Sequence, residues 1–266
     1  MPAGKNECYL SIIVPSYNEE RRMPRCLEKL AEYLERKQFT SEVLIVSDGS
    51  TDRTTDIVRA ASQMDPTIRL IEFSENKGKG FAVRAGMLEA RGKYRLFMDT
   101  DCAVPVEFID KMLERLVAGY EVAIGSRALE ESVIVKRQSL PRHVAALGFT
   151  KLQNAVLKLP FADTQCGFKM FSAQAAEHLF PLTKLNCAYF DAELLYMAYK
   201  FNYEVAEVPV KWTHDEETRL PIGPRRSADL LIKLLQIPSI HRRKNWQNRT
   251  GALSANNSQI QLTVKR

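Results

Sequence analysis

Met98-Asp99-Thr100-Asp101-Cys102 ends an apolar run with two carboxylates two residues apart. Residues i and i+2 of a strand point to the same side, so at a strand's end both carboxylates can converge on one hard cation, Mg²⁺ or Mn²⁺. Such a cation could bridge a diphosphate and offset the charge that builds on a departing nucleoside diphosphate. A solvated turn or a helix cap can carry the same Asp-x-Asp pattern. The elements around it have to decide.

Tyr9 to Pro15 reads as a buried strand, and Met23 to Lys37 follows with Leu27, Leu30 and Leu34 at helical spacing. Glu42 to Asp48 is a second strand, and after it Asp52 or Thr54 caps a helix running towards Gln63. Ile68 to Phe73, Gly80 to Ala90 and Tyr94 to Asp99 read as strand, helix and strand, and a helix after Glu107 and a strand from Glu121 to Gly125 continue the pattern. This alternation predicts an α/β fold, a Rossmann-like, mostly parallel sheet flanked by helices, with its functional loops at the carboxyl ends of the strands. The polar clusters Ser16 to Glu20, Ser47 to Asp52, Asn76 to Gly80 and Asp99 to Cys102 all fall at such ends. That coincidence favours the metal reading of the carboxylate pair.

The first turn, Pro15-Ser-Tyr-Asn-Glu-Glu, is not the Gly-x-Gly-x-x-Gly of a dinucleotide site, and Gly78-Lys-Gly80 lacks the third glycine and follows the third strand. Glu19 and Asp48 instead place acceptors where a base edge or ribose hydroxyls can be gripped, and Tyr17 can stack. Further on, the basic stretch Lys136 to Lys158 holds Leu147, Leu152, Val156 and Leu159 near one helical face. A strand from Val205 to Lys211 and a helix from about Arg226 to Ile237 complete the expected elements.

At 266 residues and 45% hydrophobic, the chain suits one substantial core: a single catalytic domain over residues 1–240 and a polar, basic tail over 241–266. The polar start and the lack of a long apolar run lead to the expectation of a cytoplasmic protein. Five widely spaced cysteines with no Cys-x-x-Cys argue against a disulfide framework or a zinc knuckle. The net charge of +6 suits an anionic partner. Nucleic acid is disfavoured as that partner, because no aromatic ribonucleoprotein motif, zinc spacing or lysine tail accompanies it.

Taken together, Ile12-Ile-Val-Pro-Ser-Tyr-Asn-Glu-Glu, Val46-Ser-Asp-Gly-Ser-Thr-Asp, Asn76-Lys-Gly-Lys-Gly, Asp99-x-Asp101 and Gly125-Ser-Arg resemble the family-2 glycosyltransferases of the GT-A fold. Asp163-Thr-Gln-Cys-Gly-Phe-Lys-Met-Phe and Phe190-Asp-Ala-Glu-Leu-Leu are similar to the dolichyl-phosphate glucosyl- and mannosyltransferase group. The resemblance implies an inverting hexosyltransferase that uses a nucleotide sugar, with UDP-glucose favoured and GDP-mannose the alternative. The implied acceptor is a polyprenyl or dolichyl phosphate met at the cytoplasmic face of a membrane. It further implies that Pro15, Tyr17, Glu19 and Asp48 line the nucleoside, that Lys79 and Asp99 lie at the diphosphate, and that Asp99 and Asp101 hold Mg²⁺ or Mn²⁺. Arg127, Arg137 and Arg142 fall where this group holds the acceptor phosphate, and a guanidinium fork suits that geometry.

Two departures from the family pattern stand out: Ser47 replaces a common Asp, and Thr213-His-Asp-Glu-Glu follows the late Trp. His214 is therefore a candidate third ligand of the metal, with an ordinary surface histidine as the alternative. Asp191 and Asp101 are the candidate catalytic residues, Asp191 standing where many inverting relatives place their base. A phosphate monoester arrives as an anion, whereas a sugar hydroxyl needs a base, so a hydroxyl acceptor would make Asp191 indispensable. Asp163 and Gln165 are expected to shape the sugar and acceptor pocket. Leu230 to Ile237, between Arg225-Arg226 and His241 to Trp246, suits either an anionic bilayer surface or packing on the core.

Overall fold

Leu10, Ile12, Ile13 and Val14 are wholly buried, as a parallel strand covered by helices on both faces requires. They belong to β1 (Leu10–Ser16), which pairs in parallel with β2 (Ser41–Asp48) on one side and β4 (Tyr94–Met98) on the other, while β3 (Ile68–Phe73) extends the sheet beyond β2. The computed structural model describes residues 8–136, 152–187, 189–213 and 224–241. Strand order reverses between β1 and β4, and in open α/β sheets the crevice at such a switch point is where ligands bind. The Asp-Thr-Asp turn follows β4 directly.

Helices α1 (Met23–Glu35), α2 (Thr54–Met64) and α4 (Phe108–Val117) cover one face, packing Leu27, Leu30, Val58 and Met112 against Ile12, Val14 and Leu96. The other face is covered by α3 (Lys79–Glu89), α5 (Ala173–Leu179) and α6 (Phe190–Lys200), against Ile13, Val46, Phe97 and Phe171. Helix α3 lies very close to the sheet because Gly86 has no side chain: a Cβ there would sit 2.5 Å from Ile13 Cγ2. At the start of α2, the N-cap is Arg53 and neither Asp52 nor Thr54, although Asp52 Oδ1 accepts the Thr54 N–H at 3.0 Å just before it.

Four features depart from the sequence expectation. Strand β7 (Phe168–Ser172) runs antiparallel between β4 and β5 (Val122–Ser126), with β8 (Val205–Pro209) parallel beyond β5. The expected strand Val205 to Lys211 divides: the Val210 N–H donates to Ser126 O at 3.2 Å, and the chain then leaves the sheet as β9 (Lys211–Thr213) to pair with β6 (Val133–Lys136). In the basic stretch, residues 152–157 are helical and bury Gln153 and Leu157, while Leu152 is exposed. The helix stops at Lys158, whose φ is +53°; of the expected stripe, Val156 and Leu159 pack on the core, Leu152 does not, and Leu147 lies outside the described residues. Finally, α7 (Pro224–Ile240) is longer than predicted and buries Leu234 and Ile237. No helix among the described residues is long and apolar enough to cross a membrane.

Glu42 locks the end of the sheet opposite the crevice. Its buried carboxylate accepts from the Ser11 hydroxyl, the Arg91 N–H and Arg69 Nη1, each at 2.6 Å. Burial would raise its pKa, but these bonds prevail and lower it. A depressed carboxylate stabilises the fold above its unfolded pKa of about 4.3, and the gain disappears as pH falls through the folded value. Glu42→Gln is therefore expected to cost about 2 kcal/mol at pH 7 in urea unfolding, with the gap to wild type closing below about pH 4.

Candidate active site

The loops after β1 and β2 clasp each other. Asn18, in the left-handed conformation at φ +54°, accepts the Thr51 N–H at 2.7 Å, while the Glu19 N–H donates to Thr54 Oγ1 at 2.7 Å and the Glu20 N–H to Asp52 Oδ2 at 3.1 Å. Asn tolerates that conformation better than most residues. Thr100 ties the third loop in, donating its hydroxyl to Pro15 O at 3.0 Å. Pro15 thus anchors the carboxylate turn through its carbonyl. Tyr17 is 42% exposed on this platform and offers a ring face for stacking.

The two acids expected to grip the nucleoside already serve the protein. Arg22 forks onto Glu19, with Nε to Oε2 at 2.6 Å and Nη2 to Oε1 at 3.0 Å. Asp48 accepts the Lys77 N–H at 2.9 Å and the Gly78 N–H at 2.7 Å, and burial outweighs these bonds to raise its pKa. Asp48 therefore pins the loop that delivers Lys79. Gly78 is required there by its φ of +104° and its close approach to Asn186 O. Ser47 Oγ, where the family pattern has an acid, is buried without a hydrogen-bond partner.

At the end of β4, Lys79 Nζ lies 2.5 Å from Asp99 Oδ1, and Asp101 Oδ1 accepts the Ala103 N–H at 3.0 Å. Burial first, and then the charge of Asp99, raise the Asp101 pKa. Burial opposes the charge on Lys79, but Asp99 and Asp191 override it and raise the lysine pKa. Gly167 makes room for Asp99, because a Cβ at that position would collide with the carboxylate. A cavity of about 20 Å³ lies against both acids, lined also by Cys166, Phe168 and Trp212. The described residues hold no cluster of three His, Cys, Asp or Glu side chains able to bind a metal. Mg²⁺ needs only one or two protein carboxylates when phosphate oxygens and water complete its shell. The crowded, under-compensated pair at Asp99 and Asp101 fits that type of site.

Asp191, in the first turn of α6, is buried at the inner wall, and Lys169 Nζ contacts its Oδ1 at 2.5 Å. Burial outweighs Lys169 and Lys79 and raises the Asp191 pKa. Arg127 forks onto Asp163, with Nε to Oδ2 at 2.6 Å and Nη2 to Oδ1 at 3.0 Å, and lies over the Trp212 ring. The pairing overcomes burial on both sides, lowering the Asp163 pKa and raising that of Arg127. Gln165 reaches Gln153 Oε1 at 3.0 Å. Arg137, Arg142 and His214 lie outside the described residues, as does the tail beyond residue 241. The sequence expectation did not include Lys169 or Gly167. Their signal is a charged residue inside Phe168-Lys-Met-Phe171 and a glycine immediately before it.

A mostly parallel seven-stranded sheet with a crevice at the β1/β4 switch point and two carboxylates at the end of β4 is the GT-A fold of a glycosyltransferase. The family described as Glycosyl transferase family 2 matches residues 11–180, and the chain belongs to it. It is 37% identical over 226 residues to a dolichyl-phosphate beta-glucosyltransferase of Dictyostelium discoideum, covering 80% of this chain and 68% of that protein. Proteins of the same description from Drosophila melanogaster and Homo sapiens are 39% and 36% identical, over 79% of this chain and 69% of each. Among solved structures, glucosyl-3-phosphoglycerate synthase of Mycobacterium tuberculosis shares the fold with a TM-score of 0.65 at 17% identity, covering 89% of this chain and 82% of that one.

The double anchorage at Asp48 has a measurable consequence. Asp48→Ala strips the Lys77 and Gly78 amides of their acceptor, and should lower stability by about 1–3 kcal/mol and speed hydrogen exchange at those two amides.

Proposed function

We propose that the chain transfers glucose from UDP-glucose to the phosphate of a dolichyl or related polyprenyl phosphate, with inversion at the anomeric carbon. The supporting observation is the likeness to dolichyl-phosphate beta-glucosyltransferases over about four-fifths of the chain. UDP-glucose as donor is consistent with the mycobacterial synthase of the same fold, which is also known in complex with Mn²⁺ and UDP-glucose and in that form matches this chain with a TM-score of 0.63. An oxygen of the acceptor phosphate attacks C1 of glucose, the bond from C1 to the diphosphate oxygen breaks, and UDP leaves.

In this reading Tyr17 stacks on the uracil, Glu19 and Asp48 bound the nucleoside, and Lys79 meets the diphosphate. Asp99 and Asp101 hold Mg²⁺ or Mn²⁺, with His214 as a further ligand; when bound, the cation offsets charge on the leaving diphosphate. Arg127 keeps Nη1 for the acceptor phosphate while Asp163 holds the other edge of its fork, and Arg137 and Arg142 complete that anion site. The second ionisation of a phosphate monoester lies near pH 6, so most of the acceptor needs no base at neutral pH. Asp191 serves the remainder as proton acceptor, and as an anion it faces the positive charge that develops at C1 in an oxocarbenium-like transition state. Contact with the cytoplasmic face of a membrane is peripheral. Ile232 and Leu235 on the exposed side of α7 are available to it.

A panel of UDP- and GDP-sugars with dolichyl phosphate and a soluble glycan acceptor, read by mass spectrometry, should give glucosyl phosphodiester from UDP-glucose alone. Mannosyl transfer from GDP-mannose, or product on the glycan, would replace this assignment. Chelation of divalent cations and Asp101→Asn should each lower kcat/KM by about 10²-fold or more. UDP titrated into wild type should bind measurably tighter with Mn²⁺ than without.

A further inference from the structure

Lys169 is the one residue of β7 whose chemistry contradicts its place. It sits opposite Phe97 of β4 and Ile124 of β5, in the middle of the sheet, with no exposed surface. An aliphatic residue would fill such a site at no cost in desolvation, and a buried ion pair is often no more stabilising than apolar packing of equal volume. We propose that Lys169 is a positioning residue, whose ammonium fixes the Asp191 carboxylate at the inner wall of the site and keeps it an anion for glycosyl transfer. The inference rests on the role given to Asp191 above.

The ammonium has little freedom. Nζ donates to Asp191 Oδ1 and to Cys166 O, each at 2.5 Å, and lies 5.5 Å from the centre of the Phe97 ring. Three N–H donors thus meet a carboxylate, a carbonyl and an aromatic face. Oδ2 of Asp191 accepts no hydrogen bond from a described residue and remains the oxygen available to substrate.

The charges around Asp191 come from four elements: Lys169 on β7, Lys79 on α3, Asp99 after β4 and Arg127 after β5. On α6 itself, Glu193 is occupied elsewhere, accepting the Lys184 and Leu185 N–H groups and His241 Nε2. Lys79 is drawn to Asp99 at 2.5 Å, and Arg127 is forked onto Asp163. Among the described charged residues, Lys169 alone is in contact with Asp191. Without it, burial and the neighbouring Asp99 favour a protonated carboxyl, which can neither take a proton nor stabilise a cationic C1.

The experiment is the pH profile of kcat, with both substrates saturating, for wild type, Lys169→Met, Lys169→Gln, Lys169→Arg and Asp191→Asn, beside thermal unfolding of each. Both uncharged variants should move the acid limb up by at least about one pH unit, leaving KM for the donor within about threefold. Lys169→Arg should return the limb towards wild type, and Asp191→Asn should leave only the limb set by the acceptor phosphate, near about pH 6. An acid limb at the wild-type position in a folded Lys169→Gln protein, with only Tm lowered, makes the pair structural and overturns the proposal. Failure of both uncharged variants to fold overturns it in the same way. If Asp191→Asn keeps the wild-type rate and limb, it is the assigned role of Asp191 that falls, whatever the lysine variants do.

Discussion

Two lysines and three carboxylates meet at one end of the sheet, and holding that many charges together within a largely buried site is the constraint to which the other elements answer. Burial raises the pKa of Asp101 and Asp191 in spite of the lysines around them, and the charge of Asp99 adds to the rise. Desolvated like charges repel strongly at this range, so they persist only where rigid elements hold them. The antiparallel insertion of β7 supplies one such element, bringing Gly167 beneath Asp99 and Lys169 beneath Asp191 with a single strand. Helix α3, drawn onto β1 and β2 by Gly86, supplies the other by carrying Lys79 to the end of β4.

The same constraint explains why the acids of the neighbouring loops are paired within the protein. Glu19 is held by Arg22, Asp163 by Arg127, and Asp48 by two backbone amides. Each compensates its own charge locally, so the deficit is confined to the strand end where a cation and a diphosphate would sit. A site whose uncompensated charge is concentrated at one point is preorganised for a ligand of the opposite charge.

Much of this was legible in the sequence, because periodicity reports burial and strand-end clusters report loops. β1 to β5, the four polar clusters and the carboxylate pair fall where the spacing places them. β7 was hidden by the charge that matters most, since a lysine in the middle of Phe168-Lys-Met-Phe-Ser172 breaks the apolar run of a buried strand. The pairing of Arg127 with Asp163, 36 residues apart, was invisible because no local pattern encodes a contact between distant loops. The position of Asp48 at a strand end was legible, whereas its bonds to the Lys77 and Gly78 amides, about thirty residues on, were not. Charged residues in a strand pattern are thus better taken as markers of a buried site than as breaks in the strand.

Helix α6 extends this logic to the far end of the chain. Asp191 faces the site from its first turn, and two residues later Glu193 is wholly buried, accepting the Lys184 and Leu185 amides and the His241 ring at 2.7 Å. His241 follows α7, and Asn186, just beyond the two amides, accepts the Gly80 N–H at 2.9 Å at the start of the helix that bears Lys79. Hydrogen bonds from His241 to Glu193, from the Lys184 and Leu185 amides to Glu193, and from Gly80 to Asn186 therefore tie the end of α7 to the start of the helix that bears Lys79. Because leaving a buried carboxylate unpaired costs several kcal/mol, α7 cannot shift independently of Glu193. The position of α7 is thus registered with that of the loop that leads into α3 and Lys79.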